Sequence, residues 1–136
     1  MSAETLNIRI AGISTESVCD GPGLRSVVFF QGCKHHCPAC HNPQTWPLDG
    51  GRMLTISQCF TELKLNPLIR GVTFSGGEPF LQLEAALGLA QMIKNANRSL
   101  WIYTGYLWEE LIENRKALVL LRITDVLVDG PYLDQF

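Results

Sequence analysis

Gly71-Val72-Thr73-Phe74-Ser75-Gly76-Gly77-Glu78-Pro79, running on into 81–95, is the stretch that decides the fold. Val72, Thr73 and Phe74 are residue types that strands favour. The Gly76-Gly77 pair lets the backbone take unusual φ values and approach another group closely. Pro79 suits the first turn of a helix. From Leu81 to Asn95, Ala86, Leu89, Ala90 and Ile93 recur on one stripe, the pattern of a helix with one apolar face. The reading is strand, tight turn, helix.

The same alternation extends to both sides. Leu6-Asn7-Ile8-Arg9-Ile10 alternates apolar and polar residues, as a half-buried strand does, and Ser26-Val27-Val28-Phe29-Phe30 reads as a buried strand. Ser57 to Leu65 forms a short helix, with Ser57 as its cap, Phe60 and Leu63 on its apolar face, and Pro67 ending it. Leu100-Trp101-Ile102-Tyr103 is strand-like, with Trp101 in the core. Leu107 to Asn114 is helical, with Leu107, Leu111 and Ile112 inward and Glu109 and Glu110 outside. Ile123 to Asp129 is the last strand, stopped by Gly130-Pro131. Strands alternating with helices predict an α/β fold with a mostly parallel sheet, and ligands then bind at the carboxyl ends of strands. Those ends are the segment after Phe30, the turn Gly76 to Phe80, Thr104-Gly105-Tyr106 and Asp129-Gly130.

The 136 residues show no repeat and no linker, so 1–136 is expected to be a single domain. Hydrophobic residues make up 46% and charged residues 18%, a globular balance rather than a disordered one. The net charge of -2 supplies no basic field for nucleic acid. No apolar run reaches the roughly 18 residues of a membrane span, and no basic start leads into an apolar stretch as in a signal peptide. A cytoplasmic, reducing setting is expected. The five cysteines cannot all pair internally, and clustered thiols there bind metal or do redox chemistry.

Three of those cysteines, Cys33, Cys37 and Cys40, form C-x3-C-x2-C within a long, functional-looking loop from Gly32 to Gly51. They are too close for easy disulfides. A structural zinc site takes four ligands, and Cys59, His35, His36 or His41 would supply the fourth. Iron–sulfur clusters usually take four cysteines, so three suggest a cluster with one iron open to a ligand. Spacing alone leaves both metals open, with buried thiols as the plain alternative. Ser75 to Pro79 reads as a tight strand-to-helix turn, or as a turn whose main chain binds the amino group of an amino acid. Cys59, beside Phe60 in a helix, reads as a small buried hydrophobe.

The three cysteines together with Gly-Gly-Glu-Pro resemble the radical S-adenosylmethionine (SAM) superfamily. Asp20-Gly21-Pro22-Gly23-Leu24-Arg25, Phe29-Phe30-Gln31-Gly32-Cys33 and His41-Asn42-Pro43 are similar to the signature of glycyl-radical-enzyme activases. Tyr103-Thr104-Gly105-Tyr106 and Val128-Asp129-Gly130-Pro131-Tyr132 resemble the activases of anaerobic ribonucleotide reductase, as does the small Ala39 before the third cysteine. The resemblance runs from about Ile10 to Tyr132.

It implies an open partial (βα) barrel in which Cys33, Cys37 and Cys40 hold one 4Fe-4S cluster. Gly76, Gly77, Glu78 and Pro79 then line the SAM site, Thr104 and Gly105 back it through their main chain, and Asp129 binds a cation or SAM's polar groups, or else caps a turn. The chemistry implied is one-electron cleavage of SAM to methionine and a 5′-deoxyadenosyl radical, which takes a hydrogen atom from a glycine of the reductase's large subunit. No acid–base side chain is needed, and a flavodoxin-like donor supplies the electron. Arg25 would bind SAM, the target loop or a structural carboxylate. His35, His36 and His41 read as polar residues around the cluster, and Trp46 as its shield or a partner contact. The family continues past Tyr132 with an Arg-Gly-Ser-x-Asn-Gln-like stretch, so a C-terminally truncated chain or a shorter variant is expected. The alternatives are a small radical SAM enzyme acting on a free metabolite (a carboxy-deazaguanine synthase type), an activase of another glycyl radical enzyme, and a zinc-stabilised interaction module.

Overall fold

The computed structural model describes residues 6–18, 23–32 and 50–130. Its strands are β1 (Asn7–Ser17), β2 (Leu24–Phe30), β3 (Arg52–Thr55), β4 (Ile69–Gly76), β5 (Ser99–Tyr103) and β6 (Val126–Val128). Its helices are α1 (Ile56–Glu62), α2 (Leu83–Asn95), α3 (Trp108–Leu111) and α4 (Arg115–Ile123), with a 3-10 turn at Pro79–Gln82 leading into α2. The six strands form one open sheet in the order β3-β1-β2-β4-β5-β6. β2, β4, β5 and β6 run parallel, and β1 is antiparallel to β2 and β3. The mostly parallel α/β sheet expected from the sequence is therefore present.

Register sorts the side chains into two faces. Val28 pairs with Phe74 and Phe74 with Ile102, while Val72 pairs with Leu100. These residues are fully buried and form one core with Ile56, Cys59 and Leu63 at α1, Ala86, Leu89, Ala90 and Ile93 of α2, and Ala117 and Leu120 of α4. The Phe30 and Phe74 rings meet edge to face, 5.1 Å between centroids. The opposite face carries Val27, Thr73, Trp101 and Val126 in register, with Phe29 beside Ser75 and Tyr103 beside Val128 nearer the carboxyl ends.

Arg25 lies on that second face, near the amino end of β2, and is fully buried. Its Nε donates to Thr73 Oγ1 (3.0 Å), one terminal nitrogen to Ser99 Oγ (2.9 Å), and the other to Val72 O (3.0 Å) and Ser99 O (3.2 Å). The guanidinium also sits 5.6 Å from the Trp101 ring. These acceptors are hydroxyls and carbonyls, so a structural carboxylate, one of the three partners considered for Arg25, is not what holds it among the described residues, and burial pulls the guanidinium below its ordinary pKa. Trp101 is correspondingly half-buried against Arg25 rather than part of the apolar core.

Several elements differ from the sequence reading. The cap of α1 is Thr55, not Ser57: Thr55 Oγ1 accepts from Gln58 N (3.1 Å) and Gln58 Oε1 accepts from Thr55 N (2.9 Å), a reciprocal capping box. Of the three side chains expected inward from 107–114, only Leu111 is buried, and Leu107 and Ile112 are exposed. The reason is that α3 lasts one turn and Asn114 then caps a separate helix, α4, by accepting from Ala117 N (3.1 Å). The last strand shrinks to Val126–Val128 because α4 runs through Ile123. Asp125 is turned toward Lys94 Nζ (2.6 Å) and Leu100 N (2.7 Å). β3 was not anticipated.

Gly71 is where the buried arginine constrains the backbone. A Cβ there would sit 2.5 Å from an Arg25 terminal nitrogen and from Ser99 O, and against Ser99 Oγ. Gly71→Ala is expected to lower stability by about 1–3 kcal/mol, read as a lower urea midpoint.

Candidate functional site

The turn after β4 is stitched to the end of β2. Phe30 pairs with Gly76 in the parallel register. Beyond it, Gly77 N donates to Phe30 O (2.8 Å) and Glu78 N to Gly32 O (2.8 Å). Gly76 takes φ +86° and Gly32 φ +105°, conformations in which side chains are strained. A Cβ on Gly76 would lie 2.8 Å from Phe29 Cα and Phe30 N, and one on Gly77 would strike Gly32 O. Gly32 immediately precedes Cys33 in the chain. The residue before the first cysteine and the glycine turn, some forty residues apart in sequence, therefore meet at a shared main-chain clamp.

Both flanks of the 33–49 segment are anchored on Arg9. Gln31 N donates to Arg9 O (3.1 Å), and the Arg9 guanidinium donates to Gly50 O (3.1 Å). Gln82 locks this arrangement. Its Nε2 donates to Arg9 O (2.8 Å) and Gln31 O (3.1 Å), while its Oε1 accepts from Arg9 N (2.8 Å). Sequence reading passed over Gln82. Its signal was a long polar side chain at the start of a helix that it does not cap.

Glu78 is fully buried, and its carboxylate ties two strand ends together. One oxygen accepts from Phe80 N (3.0 Å) and Thr104 Oγ1 (2.7 Å), and the other from Gly105 N (2.8 Å). Thr104 Oγ1 in turn accepts from Tyr106 N (3.1 Å), and Thr104 N donates to Val128 O (3.0 Å). Pro79 is buried at the start of the 3-10 turn that Glu78 caps. Asp129 is exposed at the end of β6 and accepts from Trp108 N (2.7 Å). The structure thus brings Gly76, Gly77, Glu78, Pro79, Thr104 and Gly105 into one network at the carboxyl end of the sheet. Asp129 lies on its rim as the anchor of α3.

Cys33, Cys37 and Cys40 lie outside the described residues, as do Cys19, Asp20, His35, His36, His41 and Trp46. Among the described residues no group of three or more His, Cys, Asp or Glu side chains is placed to hold a metal. Cys59 is fully buried in the core, and burial pushes its thiol up to about 12. It is neutral at physiological pH, and a metal ligand must be a thiolate. No helix among the described residues is long and apolar enough to cross a membrane.

Known proteins resemble this chain in sequence and in fold. The family of 4Fe-4S single cluster domains matches residues 19–136. The chain is 42% identical to the pyruvate formate-lyase-activating enzyme of Clostridium pasteurianum over 90% of its own length, and spans only 55% of that protein. It is 36% identical to the anaerobic ribonucleoside-triphosphate reductase-activating protein of Vibrio cholerae, covering 87% of this chain and 80% of the relative. The solved structure of QueE from Escherichia coli shares the fold, with TM-score 0.58 at 18% identity over 73% of this chain and 53% of that one.

Two outcomes follow. Gly77→Ala should displace Gly32 and cut iron and sulfide uptake on anaerobic reconstitution at least about tenfold, a barrier of about 1.4 kcal/mol, while circular dichroism stays folded. Cys59 should resist iodoacetamide at pH 8 in the folded protein and react once urea unfolds it.

Proposed function

The chain belongs to the 4Fe-4S single cluster domain family and, within it, to the radical SAM activases of glycyl radical enzymes, and we propose that it generates the glycyl radical on the large subunit of an anaerobic ribonucleotide reductase. The observation that carries this reading is the clamp of Glu78 N on Gly32 O, which joins the glycine turn to the residue before Cys33. Cys33, Cys37 and Cys40 would hold one 4Fe-4S cluster and leave one iron for SAM. The donor set fits: three thiols close together in sequence, in a segment whose flanks at Gln31 and Gly50 are anchored on Arg9. When bound, the cluster supplies the single electron that cleaves SAM, and the radical chemistry belongs to the cofactors.

The chain's own residues bind, orient and exclude water. The Glu78 carboxylate is occupied by Phe80, Thr104 and Gly105, so the turn offers SAM's methionyl amino group its main chain at Gly76 and Gly77. Thr104 and Gly105, held by the same carboxylate, support the site from β5. The buried Pro79 and Phe80 close it toward the core. Asp129 positions α3 through Trp108 N at the rim. Holding SAM close to the cluster makes cleavage effectively intramolecular. The reductase's glycine loop enters over the open face that carries Phe29, Ser75 and Tyr103. A flavodoxin-like donor in the cytoplasm completes the system.

The reduced protein, SAM and the reductase large subunit should give a glycyl radical signal by electron paramagnetic resonance. SAM cleavage without that signal would remove the reductase as partner, and a protein that takes up zinc but no cluster would remove the whole reading. The higher identity to the Clostridium protein favours a second reading, activation of pyruvate formate-lyase. Presenting both partner enzymes together decides between them by which one gains the radical. Replacing Cys33, Cys37 or Cys40 with Ala should abolish SAM cleavage, while Cys59→Ala keeps it. Equal loss at Cys59 would overturn the ligand assignment.

A further inference from the structure

At the end of the sheet opposite the glycine turn, β2, β4 and β5 begin around a cavity of about 650 Å³. Arg25, Ile69, Arg70, Asn97, Arg98 and Ser99 line it. It lies about 20 Å from Gly76, measured as six residues along β4 at roughly 3.3 Å each. Among the described residues three arginines border it, and no carboxylate does. That is unusual in a chain of net charge -2. Elsewhere among the described residues Arg52 pairs with Glu62, Lys94 with Asp125 and Lys116 with Glu84. Among the described residues none of the three arginines at the cavity has such a partner. Asp125, the acid whose field reaches Arg25, is held by Lys94 and Leu100 N.

The three arginines differ in what they have left to give. Arg25 is fixed by hydroxyl and carbonyl acceptors and contributes charge from beneath. Arg98 is set by the end of α2, where Asn97 takes φ +59° and Arg98 N donates to Ile93 O (3.2 Å). Its terminal nitrogens donate to Ala96 O (2.8 Å) and Asn66 O (3.2 Å), yet its Nε is buried with no acceptor. Arg70 is exposed at the mouth, with its whole guanidinium available among the described residues.

We propose that this cavity binds a small-molecule oligophosphate, with Arg70 and Arg98 taking its oxygens above the buried charge of Arg25. Planar guanidiniums match phosphate oxygens in a bidentate manner. The volume falls in the range of small-molecule sites and exceeds what one phosphate fills. The site involves neither the cluster nor SAM, so its fate is independent of the activase reading.

Isothermal titration calorimetry on the purified full chain tests it, with inorganic triphosphate as the probe. Triphosphate should bind saturably and at least about tenfold tighter than orthophosphate, and should weaken as salt is raised. Arg70→Gln and Arg98→Gln should each weaken it by about tenfold, the loss of one charge-assisted contact. Arg122→Gln, on an exposed side of α4, should leave it unchanged. ATP binding tighter than triphosphate identifies a nucleotide as the ligand, and equal binding identifies the phosphate chain alone. Absence of saturable binding at low salt would overturn the proposal. So would an equal loss in Arg122→Gln, which would mean diffuse surface charge.

Discussion

Two main-chain hydrogen bonds, Gly77 N to Phe30 O and Glu78 N to Gly32 O, hold the carboxyl end of the sheet together. They extend the parallel pairing of β2 and β4 past the last regular residue of each strand. Such an extension needs the two backbones almost in contact, which is why neither Gly76 nor Gly77 has room for a Cβ. Gly32 in this clamp immediately precedes the first of the three cysteines, and Gly50, beyond them in the chain, is held by the same Arg9 whose carbonyl receives Gln31 N.

Two buried charges mark the two ends of the sheet. Glu78 gathers a hydroxyl and two main-chain amides at the carboxyl end, joining the ends of β4 and β5. Arg25 gathers two hydroxyls and two carbonyls at the amino end, joining β2 to β4 and β5. Each is surrounded by oriented dipoles, which lower the cost of burying a charge. Both tie neighbouring strands together.

The strands and the long helix were legible because their signals are local. Val27 to Phe30 and Val72 to Phe74 are β-branched or aromatic, and the Ala86, Leu89, Ala90, Ile93 stripe needs only a helical period. α3 and α4 were not legible as a pair, since Leu107, Leu111 and Ile112 satisfy a helical period that Asn114 interrupts by capping a new helix. β3 escaped because four residues with two exposed side chains carry no pattern of their own. Its pairing to β1 across some forty intervening residues makes it a strand.

Sequence by itself determined the family, the candidate cluster ligands and the glycine turn, because these depend on residue types at fixed spacing. Tertiary structure alone decided what Glu78, Arg25, Gln82 and Asp129 do. Apart from the local cap that Glu78 makes on Phe80 N, each is a polar side chain bonded to other elements, from 21 residues away for Asp129 and Trp108 to 74 for Arg25 and Ser99. A hydrogen bond is set by distance in space, and sequence separation carries no record of it until the sheet has paired.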